Sequence, residues 1–217
     1  MKPGIVRILI VDDHPLIRSG LAAELQKAPD MTIAGEASDA DEAISRSRSL
    51  KPDLMLLDIA LPGKSGLEVL KELQLELPDI KIIMLSGFPE RQYAIRCLKD
   101  GASGYITKDT ASTDLISAIR KVMNGEKFIS ASLADLLVAE IGPDVKRLPH
   151  EDLSDREFQI LCLVGQGNTI SEIAKILSLS ISTINTYRAR ILTKLRLKTT
   201  AQLIRYVLDN NLTVIKK

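Results

Sequence analysis

Apolar and polar positions alternate between two rhythms over the first 125 residues. Short runs rich in Ile, Val and Leu occur at Ile5–Val11, Thr32–Glu36, Leu54–Leu57, Ile82–Leu85 and Gly104–Thr107. Continuous apolar runs of this length between breakers read as buried strands of a parallel sheet. Between them lie stretches of helical spacing: Pro15–Ala28, Ala40–Leu50, Gly66–Leu77, Glu90–Asp100 and Ser112–Asn124. Breakers such as Pro29-Asp30, Pro62-Gly63, Pro78-Asp79 and Gly101 separate the units. Five strand–helix repeats with right-handed crossovers make an α/β, doubly wound (βα)5, flavodoxin-like domain.

The rhythm changes after Asn124. Gly125 closes the fifth helix, a helical stretch covers Ser132–Ile141, and residues 142–151 collect two prolines, a glycine, four charges and a histidine. That composition suits an exposed tether. Four helices follow at Asp155–Gln166, Ile170–Leu177, Ile181–Leu195 and Thr199–Asp209, and Ser154 with Glu157 has capping-box spacing. The division is therefore an α/β domain over 1–125, a linker with a helical stretch over 126–152, and a small all-α domain over 153–217.

Composition removes several classes. With 45% hydrophobic and 26% charged residues, general disorder is excluded. Two distant cysteines, Cys97 and Cys162, make neither a disulfide scaffold nor a Cys-rich zinc site. No apolar run reaches membrane-spanning length, and the run ending at Val11 is cut by Asp12 and Asp13, unlike a signal peptide. The expectation is a soluble cytoplasmic protein with no membrane partner. The net charge of +1 conceals an asymmetry: residues 1–150 carry 19 basic and 22 acidic side chains, whereas 151–217 carry 10 basic and 6 acidic. No acid falls between Ile173 and Leu208, but seven bases do. Such a stretch is a solvated face or a surface that meets phosphates.

Open parallel sheets bind ligands at the carboxyl ends of their strands. There the sequence puts Asp12-Asp13, Asp58, Ser86 and Thr107-Lys108. Clustered carboxylates repel unless a cation joins them, and with little His or Cys at hand the fitting cation is oxygen-liganded Mg2+. An Asp carboxylate is also a nucleophile towards phosphorus. Asp58, in mid-domain, is the best placed. Lys108 would neutralise charge on the transferred group, and Ser86 would donate to a new phosphoryl oxygen.

Residues 5–124 resemble the receiver domain of two-component response regulators. The resemblance rests on Ile10-Val11-Asp12-Asp13-His14, Leu57-Asp58-Ile59-Ala60-Leu61-Pro62-Gly63, Met84-Leu85-Ser86 and Gly101–Lys108. It implies that Asp58 is the phosphoacceptor for a sensor histidine kinase. It also implies that Asp12, Asp13, Asp58 and the Ala60 backbone carbonyl hold Mg2+, and that Ser86 and Tyr105 form a paired switch. Enzymatic activity would be limited to self-catalysed phosphoryl transfer and dephosphorylation.

In the C-terminal region, Ser180 is a good N-cap for a helix that turns Ile181, Ile184, Ile191, Leu192 and Leu195 towards a core. Ser182, Thr183, Asn185, Thr186, Arg188, Arg190 and Lys194 are left for solvent or a partner. Short polar residues at a helix start, with Arg and Lys along its length, suit the DNA major groove. Leu153–Glu157, Glu172-Ile173-Ala174, Ser182-Thr183-Ile184 and Lys194-Leu195 resemble the LuxR-type helix-turn-helix domain, and the whole chain resembles the NarL/FixJ response regulators. That resemblance puts Asn185, Thr186 and Ala189 towards the bases of double-stranded promoter DNA. It puts Thr183 and the bases Arg188, Arg190 and Lys194 on phosphates, and makes Thr199–Asp209 the helix of a homodimer formed on phosphorylation. Ala189 and Tyr187 depart from the common residues there, so the bases read do not follow. Two other classes compete: an Asp-nucleophile phosphatase, disfavoured because Ala60 stands where its general acid would be, and an adaptor whose helical unit binds protein or RNA.

Overall fold

The computed structural model describes residues 4–87, 90–139, 148–210 and 212. The chain forms two compact units, one running to Ala134 and the other starting at Asp135. The first contains β1 (Val6–Val11), α1 (Pro15–Leu25), β2 (Met31–Ala37), α2 (Ala40–Leu50), β3 (Leu54–Asp58), α3 (Gly66–Glu76), β4 (Lys81–Ser86), α4 (Glu90–Lys99), β5 (Gly104–Thr107) and α5 (Ala111–Met123). Helix α6 (Ala131–Ala139) follows. The five strands are parallel in the order β2-β1-β3-β4-β5. The chain reverses its direction of growth at β1 and β3, which opens a crevice at their carboxyl ends.

Successive strand residues face opposite sides of the sheet. Ile8, Ile10, Leu54, Leu56, Ile83, Leu85 and Ile106 point to one side, where they form a core with Leu21 and Leu25 of α1 and Leu115, Ile119 and Val122 of α5. Leu9, Val11, Met55, Leu57, Ile82 and Met84 alternate with them and are equally buried. Both faces are covered, so the strands read as unbroken apolar runs. At roughly 1.5–3 kcal/mol for each fully buried large side chain, this double-sided burial is the main stabilising term.

Polar caps set the helix starts. Asp39 accepts from the Glu42 N–H at α2, and Ser65 with Glu68 makes a capping box at α3. Helix α1 ends at Leu25, three residues before the predicted end, because Lys27 and Ala28 turn tightly ahead of Pro29. Ile5 is not part of β1 and is mostly exposed. An element absent from the prediction follows α5. Phe128 donates to the Ser103 carbonyl (3.0 Å) and accepts from the Tyr105 N–H (3.2 Å), adding a one-residue bridge beside β5. Ser130 Oγ then accepts from the Leu133 N–H at the start of α6 and also bonds the Glu90 carboxylate. The predicted helix Ser132–Ile141 is described only as far as Ala139, and 142–147 of the predicted tether lie outside the described residues.

The second unit contains a short 3-10 turn (Pro149–Asp152), α7 (Asp155–Gly165), α8 (Ile170–Ile176), α9 (Ile181–Lys194) and α10 (Thr200–Asp209). Helix α7 packs on α8, α9 and α10. Phe158, Leu161, Ile173, Leu177, Ile184, Ile191, Leu203 and Val207 are buried. The capping box at Ser154–Glu157 is present, with equivalents at Thr169–Glu172 and Thr199–Gln202. His150 Nδ1 lies 3.0 Å from the Tyr206 hydroxyl and ties the 3-10 turn to α10. Ile181, expected in the core, is 52% exposed at the first position of α9. No described helix is long and apolar enough to cross a membrane.

Candidate functional site

The crevice is built where four strands end. Asp12 follows β1, Asp58 ends β3, Ser86 ends β4 and Lys108 follows β5. Parallel register puts these ends side by side: Asp58 pairs with Leu85, and Ser86 with Thr107. Donor atoms of Asp12, Asp13, His14 and Asp58 lie within 4.8 Å of one another. Asp12 is fully buried and Asp58 almost so, while Asp13 is partly exposed.

Few donors reach this charge. Lys108 Nζ donates to Asp58 Oδ2 (2.8 Å) and stands 2.8 Å from Asp12 Oδ2. Asp58 Oδ1 accepts from the Ala60 N–H at 3.2 Å, and Asp12 Oδ1 from the His14 N–H at 2.8 Å. Asp12 Oδ2 and Asp13 Oδ1 are buried yet receive no hydrogen bond of acceptable angle, although Lys108 and His14 are close. Burial pushes the Asp58 carboxyl up to about 6; the Asp12 charge adds to this, while Lys108 and the Ala60 N–H pull the other way. Desolvation alone would lower the Lys108 ammonium, but the charges of Asp58 and Asp12 outweigh it and hold it above the ordinary range.

Ser86 and Tyr105 are buried, and their hydroxyls are hydrogen-bonded to each other. Desolvation drives the Tyr105 phenol well above its usual range. Met84 and Tyr105 are cross-strand neighbours, so a shift at the end of β4 is felt at the tyrosine. Lys108 is anchored by its own N–H, which donates to the Ser86 carbonyl (2.8 Å). The crevice therefore joins a buried carboxylate nucleophile, a cation, acidic oxygens with spare lone pairs, and a hydroxyl pair.

Gly66 lets α3 begin beside it. A Cβ there would lie 2.0 Å from the Asp58 carbonyl oxygen. Sequence reasoning quoted His14 only as part of a motif, but its Nδ1 is 2.6 Å from Asp13 Oδ1. It did not single out Arg18, which donates to the Asp12 carbonyl (2.7 Å) and to Glu36 (3.0 Å). A cation in the first turn of a helix was the available signal, since the helix dipole disfavours it.

On α9 the candidate nucleic-acid residues divide. Ser182, Thr186, Ala189, Arg190 and Thr193 form the exposed stripe, at helical spacing. Thr183 and Asn185 flank it, half-buried; the Thr183 N–H is spent on Ser180 Oγ. The Arg190 guanidinium stacks 5.8 Å over the Tyr187 ring. Arg188 is half-buried and donates to Thr200 Oγ1 (3.0 Å). Lys194 pairs with buried Glu157 at 2.6 Å, so part of its charge is spent inside the unit. Burial would raise the Glu157 carboxyl, but Lys194 and the Ser154 N–H outweigh it and hold it below the ordinary range.

Residues 8–120 match the response regulator receiver domain, and residues 151–207 match the luxR family of bacterial regulatory proteins. Response regulator GacA of Pseudomonas viridiflava is 36% identical over 91% of this chain and 93% of its own. Transcriptional regulatory protein LiaR of Bacillus subtilis is 35% identical over 95% of this chain and 99% of its own. Among solved structures, RcsB from Salmonella enterica serovar Typhimurium, bound to promoter rprA in the presence of the phosphomimetic BeF3−, superimposes with a TM-score of 0.65. It is 25% identical, over 94% of this chain and 98% of that one. The likeness runs through both units rather than one. The chain belongs to the two-component response regulators that join a receiver domain to a LuxR-type DNA-binding domain.

Proposed function

We propose that Asp58 is the phosphoacceptor, that a sensor kinase phosphohistidine is the donor, and that phosphorylation raises affinity for promoter DNA. The observation that carries this reading is the convergence of Asp12, Asp13, Asp58 and Lys108 on one crevice, with the Ser86–Tyr105 hydroxyl pair at its rim. A carboxylate oxygen of Asp58 forms a bond to phosphorus as the phosphorus–nitrogen bond of the donor breaks, and the imidazole leaves with a proton taken from solvent. Lys108, already on Asp58 Oδ2, neutralises charge on the transferred group. Ser86 turns to a phosphoryl oxygen, and Tyr105 follows its lost partner.

The residues fit Mg2+. The donor set of Asp12, Asp13, Asp58 and the Ala60 carbonyl is all oxygen, and two of its buried oxygens lack hydrogen bonds. When bound, Mg2+ would supply charge neutralisation and hold phosphoryl oxygens in line. Hydrolysis of the aspartyl phosphate in the same crevice would reset the protein. Incubation with a radiolabelled acyl phosphate and Mg2+ tests the assignment. Label on Asp58, absent from Asp58→Ala, is expected; wild-type labelling of Asp58→Ala would contradict it.

The receiver is proposed to span 1–125, the linker 126–152 and the helix-turn-helix domain 153–217, in the cytoplasm. RcsB is described as binding DNA as dimers; we extend a phosphorylation-linked homodimer on paired half-sites to this chain. Thr186 and Ala189, with Asn185 beside them, face base edges; Thr183, Arg188, Arg190 and Lys194 face phosphates. The phosphate contacts make affinity fall with salt. Arg190→Ala is expected to weaken binding across sequences and reduce the slope of log K against log salt by about 1. Lys194→Ala should change that slope less, because Glu157 already holds the ammonium. Equal slopes for Arg190→Ala and wild type would remove Arg190 from the contact.

A further inference from the structure

Arg18 has no local reason to be where it is. It lies in the first turn of α1, where the helix dipole favours anions, and that turn holds no acid. Its side chain is nonetheless only 17% exposed and makes two directed bonds. Nη1 donates to the Asp12 carbonyl at 2.7 Å, and Nε donates to Glu36 Oε2 at 3.0 Å. Asp12 stands one residue beyond the last paired position of β1, so its carbonyl lies past the ladder to β3. Its N–H is held by the Ala37 carbonyl (3.2 Å) and its Oδ1 by the His14 N–H (2.8 Å). Arg18 fixes the remaining backbone atom. Oδ2 then stands 2.8 Å from Lys108 Nζ, within the cluster with Asp58.

We propose that Arg18 is a positioning residue that sets the Mg2+ affinity of the acidic crevice by clamping the Asp12 peptide. The inference rests on the Mg2+ reading above. Two effects oppose each other. The guanidinium charge repels a nearby cation, whereas holding Asp12 rigid spares the ordering cost of a ligand. Glu36 pairs the charge at 3.0 Å, and the guanidinium touches the carbonyl rather than the carboxylate, so the repulsion is weakened. The positioning effect dominates, because groups that orient a metal ligand commonly change affinity by about 10–100-fold. Glu36 sits on edge strand β2 and is half-exposed.

The test is a calorimetric Mg2+ titration of the full unphosphorylated chain at constant ionic strength and pH 7.5, alongside thermal melts. Arg18→Ala is expected to weaken Mg2+ binding by about tenfold or more. Arg18→Lys keeps the charge but loses the planar fork that holds two acceptors in fixed geometry, and should lose an intermediate factor. Glu36→Gln, which leaves the clamp but unbalances its charge, should lose roughly two- to threefold. A purely structural arginine would lower the melting temperature and leave Mg2+ affinity unchanged, and that result overturns the proposal. If Arg18→Ala does not fold, Arg18→Lys decides: affinity equal to wild type overturns it. A wild-type chain silent to Mg2+ sinks this inference and the metal reading together. Mg2+ bound equally by wild type and variants sinks this inference alone.

Discussion

Gly66→Ala is expected to lose most phosphoryl incorporation and to destabilise the receiver unit by about 2–4 kcal/mol. The added Cβ would stand 2.0 Å from the Asp58 carbonyl oxygen and 2.9 Å from its carbonyl carbon. Both are backbone atoms, so no side chain can swing aside. Either α3 retreats, breaking the Gly66 N–H bond to the Ile59 carbonyl (3.0 Å) and the Ser65–Glu68 capping box, or the end of β3 moves and carries the nucleophile with it. Misplacing a reacting group by about 1 Å can cost 100-fold in rate. Denaturant melts with acyl phosphate labelling check this; a folded, normally labelled Gly66→Ala would mean that the β3–α3 turn yields without moving Asp58.

Asp58→Asn is expected to make the Mg2+-free protein more stable at neutral pH while abolishing phosphorylation. The Asp58 carboxyl is raised from 3.8 to about 6 in the fold, mainly by burial. Below 3.8 both folded and unfolded states carry the proton, and the group costs nothing. Between 3.8 and 6 only the folded state retains it, so stability falls as pH rises through this window. Above 6 the ionised, buried carboxylate costs about 3 kcal/mol, taking 1.36 kcal/mol per pKa unit. Asparagine keeps the shape without the charge. A gain of about 1–3 kcal/mol, or roughly 5 °C, is expected at pH 7.5. It should shrink below pH 6, disappear near pH 4, and narrow when Mg2+ stabilises the wild type. A gain that grows on acidification would contradict the burial argument. The nucleophile is held in a costly state, as functional groups often are.

The five buried strands and the acidic crevice were legible in the sequence for one reason. Apolar runs in a doubly covered sheet end sharply, so the residue after each run marks a strand end, and ligand groups collect there. Asp12, Asp58, Ser86 and Lys108 follow from that rule, and the resemblance added Tyr105. The place of Arg18 in the first turn of α1 marked it as unusual, but its role was not legible because its partners, the Asp12 carbonyl and Glu36, are a backbone atom and a residue of strand β2. The Phe128 bridge involves a single residue and leaves no periodicity to read. Ile181 shows the limit of helical spacing, which identifies an apolar position but not whether the surface it meets lies inside the unit. Lys194 has the same spacing as the exposed bases, yet Glu157 of α7 claims it.

The central claim is that phosphorylation of Asp58 controls DNA affinity. It is tested most directly by equilibrium binding to a duplex selected from a random pool by the full phosphorylated chain. Wild type and Asp58→Ala are compared, each with and without acyl phosphate and Mg2+, at one salt concentration. The account predicts that wild type binds about 5–150-fold tighter on phosphorylation and that Asp58→Ala does not respond. Wild-type protein shown to carry the phosphoryl group on Asp58, yet binding the duplex with unchanged affinity, would contradict it.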